Sequence, residues 1–243
     1  MEKPQIEGIK DTDWSRFLPG ISIDCVIFGY HDRELKILIL EFKNTGYLAL
    51  PGGFVYKDED LDEAAERTLR ERTSLDNIYL DQFHTFGNME RYDTEYMRGV
   101  LKANGVAATE DHFLMQRFIS VGYYALVDFS KAHPTPDKLS DSCFWCDLDE
   151  LPELIQDHRL IIQYALDTLK ENIEHMPISY NLMSETFTMG ELRSLHETIL
   201  EKKINRTSFH RKMVNSGNLK RIGKKKTGGA HRAPYLYRFV KDN

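Results

Sequence analysis

The sequence predicts an α/β chain in two parts: a mixed sheet sandwiched between helices over residues 1–172, then a small domain of two helices and a hairpin over residues 173–243. Three observations predict it. Alternating apolar stretches stand before and after a helical segment, and a second helical segment closes the first part, the order of a sheet covered on both faces. The length, 243 residues, exceeds that of a usual single domain. The charge is also divided. From Met176 onward there are fourteen Lys/Arg and five Asp/Glu, a balance of +9 that leaves −15 for residues 1–175 within a net charge of −6. Between Lys202 and Lys241 no acidic residue occurs, a bias that suits a polyanionic partner.

Composition narrows the class further. Hydrophobic residues at 41% and aromatics at 11% suffice for a core, which argues against bulk disorder. No apolar run approaches the roughly 20 residues that span a bilayer, and "MEKPQIEGIKDTDW" has no signal-peptide pattern. Three cysteines offer no disulfide framework, so a cytoplasmic protein with no membrane partner is expected.

In chain order, "ISIDCVIFGY" (21–30) places Ile21, Ile23, Cys25 and Ile27 on one face of a strand, and "LKILILEF" (35–42) reads as its hairpin partner across "HDRE". A tight turn is expected at Gly52-Gly53. A helix fits from about Asp60 to Thr73, with Leu61, Ala64, Ala65 and Leu69 as its apolar stripe. The stretch 94–117 reads as a plain insertion, with a lid or a dimer element as alternatives. "RFISVGYYALVDF" (117–129) predicts a central strand and "CFWCDL" (143–148) a shorter one. Cys143 and Cys146 would point to opposite faces of that strand with no second pair to complete a zinc site, and the nine histidines show no ligand spacing. Asp157 is placed to cap a last helix with Ile161, Ile162, Ala165, Leu166 and Leu169 at helical spacing.

In the second part, Thr188 and Glu191 form a capping-box signature before a stripe of Met189, Leu192, Leu195 and Ile199. A second helix can start at Asn205, anchored by Phe209 and Met213 and stopped by Gly217. "LKRI" and "YLYRFV" can pair as strands around "GKKKTGGAHRAP". Helix, turn, helix and a hairpin with a basic tip is the layout of a winged helix-turn-helix, whose second helix enters the major groove. Arg206, Thr207, His210 and Arg211, opposite the two anchors, and Lys224, Lys225 and Lys226 on the wing are the expected contacts to an operator in double-stranded DNA.

The most specific motif lies in the first part. Gly53, five residues, Glu59, seven residues and then Arg67-Thr68-Leu69-Arg70-Glu71-Arg72-Thr73-Ser74-Leu75 resembles the Nudix box. The resemblance covers about residues 18–172 and implies the Nudix α-β-α sandwich. In active members, helix glutamates hold the Mg²⁺ or Mn²⁺ that neutralises a pyrophosphate. Thr68, Glu71 and Arg72 stand at the three glutamate positions, so two of the three carboxylates are missing. Hard divalent ions need several oxygen ligands. A cation at 72 would repel the ion by roughly 4 kcal/mol per unit charge at ~4 Å and an effective dielectric of ~20. No catalytic residue, metal site or cofactor is therefore expected. Glu63 and Glu66 precede the ligand positions, and Asp147, Asp149 and Glu150 are weak candidates for the family's additional base.

The whole chain resembles the Nudix-related transcription regulators of the NrtR type and their sugar-responsive relatives. The marks are "GGFVYKDE", "RFISVGYYAL", "ELPELIQDH", "FTMGELRSLHETIL", "NRTSFHRKM" and "APYLYRF". The resemblance implies a homodimeric regulator on a palindromic operator, whose Nudix domain senses ADP-ribose in some members and a sugar such as arabinose in others. An acidic domain without a metal is a poor host for a pyrophosphate, which favours a neutral sugar. The effector pocket is expected near Phe54, Lys57, Glu71 and Arg117. The competing readings are a pyrophosphatase of ADP-ribose-like nucleotides with an accessory basic domain, and a module that binds only proteins. Thr68 and Arg72 speak against the first, the basic helix and hairpin against the second.

Overall fold

A computed structural model describes residues 8–173, 182–225 and 233–240. The alternation of Ile23, Cys25 and Ile27 with Val26 and Phe28 builds a long first strand, β1 (Phe17–His31). It turns into β2 (Glu34–Phe42) through Asp32 and Arg33, both at positive φ (47° and 71°), as a two-residue hairpin turn demands. β3 (Leu48–Ala49) pairs with β2, and β4 (Gly52–Tyr56) pairs with the first half of β1. The turn expected at Gly52-Gly53 is thus the start of a strand, and neither glycine has positive φ. Glycine is needed there for closeness: a Cβ on Gly52 would lie 2.7 Å from the Ile23 carbonyl oxygen.

Helix α1 (Leu61–Thr73) opens on a capping box, in which the Glu63 carboxylate accepts from the Asp60 amide at 3.0 Å. It closes on Ser74 in the left-handed region (φ 59°), the position at which the Nudix box carries glycine. β5 (Leu80–Phe86) leads to α2 (Thr94–Ala103), followed by β6 (Ile119–Val127), β7 (Ser140–Asp147) and α3 (His158–Asn172). β1 and β6 run parallel, from Ile21 opposite Ile119 to Gly29 opposite Val127, and the other pairings are antiparallel, so the sheet is mixed. Ala64, Ala65 and Leu69 of α1 pack with Ile23, Cys25, Ile27 and Tyr123 on one face. Ile161, Ile162, Ala165 and Leu169 of α3 pack with Val26, Phe28, Ile39 and Tyr124 on the other.

The stretch 94–117 is more than a plain insertion. Val100 and Leu101 of α2 and Phe113–Met115, a 3₁₀ turn, are buried with Ile9, Phe17 and Tyr56 in a cluster of their own beside the sheet. The ring of Trp14 stacks on Phe113 at 5.2 Å. Amphipathicity dictates this, since an apolar helix face left in water would forgo roughly 25 cal/mol per Å².

The small domain comprises β8 (Phe187–Thr188), α4 (Met189–Ile199), α5 (Arg206–Asn215), β9 (Leu219–Lys224) and β10 (Tyr235–Phe239). Its sheet order is β8-β10-β9, with Phe187 opposite Tyr237. Phe187, Leu192, Phe209, Met213 and Tyr237 form its core. The apolar stripe of α4 is shared between domains. Leu192 joins this small core, whereas Leu195 and Ile199 are fully buried in the α3 side of the large core. The Lys170 ammonium on α3 meets the Glu201 carboxylate at 3.2 Å. Among the described residues no helix is long and apolar enough to cross a membrane.

Candidate functional site

The box loop is held from within. The Arg67 guanidinium donates to both Glu59 oxygens (2.7 and 3.2 Å) and to the Phe54 carbonyl (2.9 Å), and lies 4.7 Å from the Tyr56 ring centroid. Burial works against the Arg67 cation, but the Glu59 hydrogen bonds and charge outweigh it and raise its pKa. These contacts aim the C-terminal half of α1 at a cavity of about 390 Å³ between β1, β4, α2 and the segments around 137 and 156, within the range of small-molecule sites.

At the three positions where the Nudix box has glutamates, the side chains do other things. Thr68 is buried and its hydroxyl donates to the Ala64 carbonyl at 2.9 Å. The Glu71 carboxylate lies 3.8 Å from Arg67 Nη1 and 3.7 Å from Arg72 Nη1. Arg72 Nη2 donates to the Asp137 carboxylate at 2.5 Å. A divalent ion does not fit this donor set, because its one carboxylate is already shared by two guanidinium groups. Among the described residues no three His, Cys, Asp or Glu side chains are grouped to hold a metal ion. Glu63 is used in the cap, Glu66 is exposed, and Asp147 accepts from Lys36 at 2.9 Å. Burial pushes the Cys143 thiol up to about 11, and Cys143 and Cys146 pack on opposite sides of the sheet, which leaves the C-x-x-C without redox or ligand character.

Of the expected effector contacts, Phe54 and Glu71 line the cavity and Lys57 and Arg117 do not. Lys57 borders a separate open depression beside Trp14 and His112. Arg117 is exposed and donates to the Gly87 carbonyl at 2.7 Å. Along an extended chain successive side chains face opposite ways, so Phe118 enters the cavity wall and Arg117 turns from it.

The residues that sequence reasoning missed form a buried polar cluster in the same wall. Arg91 donates to Asp157 through Nε (3.0 Å) and Nη2 (3.2 Å), to Asp24 (3.4 Å), and to the carbonyls of Phe86 and Phe118 (3.3 and 3.4 Å). The Ser120 hydroxyl donates to Asp24 at 2.6 Å. His158 Nδ1 accepts from the Leu50 amide at 2.9 Å, and burial lowers its pKa, so the neutral ring presents Nε2–H towards Asp24, 3.8 Å away. Asp157 stands at the N-cap of α3 as expected but makes no side-chain cap, since Arg91 has claimed its carboxylate. No local pattern announces partners that lie 66 and 67 residues apart.

In the small domain, Phe209 and Met213 are buried, and Arg206, Thr207, His210 and Arg211 are exposed on the opposite side of α5. The Asn205 side chain accepts from the amides of Thr207 and Ser208, both at 3.0 Å, which fixes the first turn. His210 Nε2 also meets the Tyr237 hydroxyl at 3.1 Å. On the wing, the Lys224 ammonium lies 5.7 Å from the Tyr235 ring centroid, and Lys225 pairs with Glu191 at 3.1 Å. Lys226 lies outside the described residues.

Comparison with known proteins adds three findings. The NUDIX domain model matches residues 18–165, and the model of the NrtR DNA-binding winged helix domain matches residues 179–239. The chain is 29% identical over 229 residues to the ADPR (ADP-ribose) responsive transcriptional repressor NtrR of Acinetobacter baylyi, covering 91% of this chain and 82% of that protein. The crystal structure of Shewanella oneidensis NrtR superposes with a TM-score of 0.69 at 28% identity, over 90% of this chain and 94% of that one. A second structure of that protein, complexed with a 27mer DNA, matches with the same score and identity.

Proposed function

The chain belongs to the Nudix family and carries an NrtR-type winged helix behind its Nudix domain, and from that premise we propose that it is a DNA-binding transcription repressor whose Nudix domain binds ADP-ribose or a close analogue. We divide it after residue 172 and place it in the cytoplasm as a homodimer on a palindromic operator. The observation that carries the reading is a single chain in which a preformed cavity with two of three metal positions lost is followed by an exposed basic helix fixed by Phe209 and Met213. The expectation of a neutral sugar rested on domain acidity. The cavity answers that objection, because Arg67, Arg72 and Arg91 all lie in its wall.

DNA recognition divides between α5 and the wing. Arg206 and Thr207 stand in the first turn of α5, the part of a recognition helix that meets base edges. Lys224 and Lys225 suit phosphates, which position without reading sequence, and the half-exposed pairing of Lys225 with Glu191 exchanges readily for a phosphate. On an operator selected from a random DNA pool, alanine at Lys224 and Lys225 is expected to flatten the log–log salt dependence by roughly 0.9 per lost phosphate contact. Alanine at Arg206 or Arg211 is expected to erode discrimination by about 1–3 kcal/mol. A salt titration on operator and scrambled DNA checks both; an unchanged slope, or full specificity in the helix variants, refutes the assignment.

Hydrolysis is expected to be absent. With Mg²⁺ or Mn²⁺, the purified protein should release no AMP from ADP-ribose at an enzyme-like rate, and turnover near ~1 s⁻¹ would return the domain to the pyrophosphatases.

A further inference from the structure

The unmatched metal site has a chemistry of its own. Arg72 lines the cavity, its side chain is 5% exposed, and its Nε has no hydrogen-bond partner. A buried donor without an acceptor forfeits hydration for nothing, and such groups are rare in folded proteins unless something else fills the gap. The rest of the guanidinium is fixed: Nη2 on Asp137, Nη1 facing Glu71. The loop bearing Asp137 is itself tied to the end of α1, since the Thr135 amide donates to the Arg72 carbonyl (3.0 Å) and the His133 amide to the Thr73 carbonyl (2.9 Å). The guanidinium cannot swing away, so its free N–H is a preorganised donor beside the box helix.

We propose that Arg72 receives an anionic oxygen of the effector's diphosphate directly, so that ligand binding in this domain needs no divalent cation. The proposal rests on the ADP-ribose reading above and deepens it. A metal-binding helix neutralises a diphosphate through an ion that its carboxylates recruit. Here the cation is covalently part of the chain, at the position of one of those carboxylates. The Arg72 guanidinium supplies one charge-assisted bond, of the kind roughly twice as strong as a neutral one. Asp137 keeps the guanidinium from standing as a lone buried charge when the cavity is empty.

Calorimetric titration with ADP-ribose, in EDTA and then in excess Mg²⁺, tests this. The parent protein is expected to bind with the same Kd, within about twofold, in both buffers. Because Arg72→Met alone would strand Asp137, the variant is Arg72→Met with Asp137→Asn, its fold checked by thermal melting without ligand. Its affinity should fall about ten- to hundredfold, the range for a lost hydrogen bond to a charged group. Arg72→Lys, which keeps the charge and loses the fork, should lie between. Binding that disappears in EDTA and returns with Mg²⁺, or a folded double variant that binds like the parent, overturns the proposal while leaving ADP-ribose as effector. A parent that binds no ADP-ribose in either buffer defeats both readings together.

Discussion

Replacing Arg91 by methionine is expected to lower the unfolding free energy by about 3–5 kcal/mol, the usual consequence of leaving buried charges uncompensated. Arg91 is 8% exposed and joins Asp24 on β1, Asp157 at the start of α3 and the carbonyls of Phe86 and Phe118. Methionine fills a similar volume, so the loss would come from the polar cluster and not from a void. Asp24 and Asp157 would face each other across a cavity wall with only Ser120 and the neutral His158 for company. For a domain of this size the melting temperature should drop by roughly 6–20 °C. Urea unfolding of the parent, the variant and the variant with Asp157→Asn provides the measurement. The added asparagine should restore part of the loss, and a deficit under ~1 kcal/mol in the single variant would mean that Arg91 is not the keystone of the cluster.

The second large effect concerns Phe209. It is 4% exposed, meets the His196 ring at 5.0 Å and sits at the centre of the small core with Phe187, Leu192, Met213 and Tyr237. Phe→Ala in a core costs about 3–5 kcal/mol, and a domain this small rarely holds more than that in reserve. The variant is expected to lose operator binding altogether while the sheet domain, which shares only Leu195 and Ile199 of α4 with the helix packed on Phe209, still shows the ligand-induced thermal shift. Gel shifts and thermal melts on the same preparation read both halves. Operator affinity within twofold of the parent would show that α5 is held by something other than this ring.

What the sequence disclosed and what it hid follow a physical line. The helix start near Asp60, the capping box at Thr188, the alternation along β1 and the Phe209/Met213 pair are local, so spacing alone places them. Glu71 and Phe54 line the cavity, as their rigid spacing within the motif allows, whereas Lys57 and Arg117 lie off it, because a shift of one residue in an extended segment reverses the facing of a side chain. The pairing of Arg91 with Asp24 and Asp157 was invisible because only the folded chain brings them together. The split of the α4 stripe between two cores was equally hidden, since periodicity reports that a face is buried and never by what.

The pairing of Arg72 with Asp137 also governs which ancestors this protein can return to. A glutamate restored at 72 alone would stand, almost wholly out of water, between Glu71 and an Asp137 stripped of its counter-charge. Three carboxylates would then crowd one corner of the fold, and no ion could be recruited securely while Thr68 still lacked its own carboxylate. Arg72→Glu alone is therefore expected to lower stability before it gains any chemistry, unless Asp137 changes with it. Packing thus acts as a ratchet: the residues at 68 and 72 are held in place by the neighbours they contact, Ala64 and Asp137.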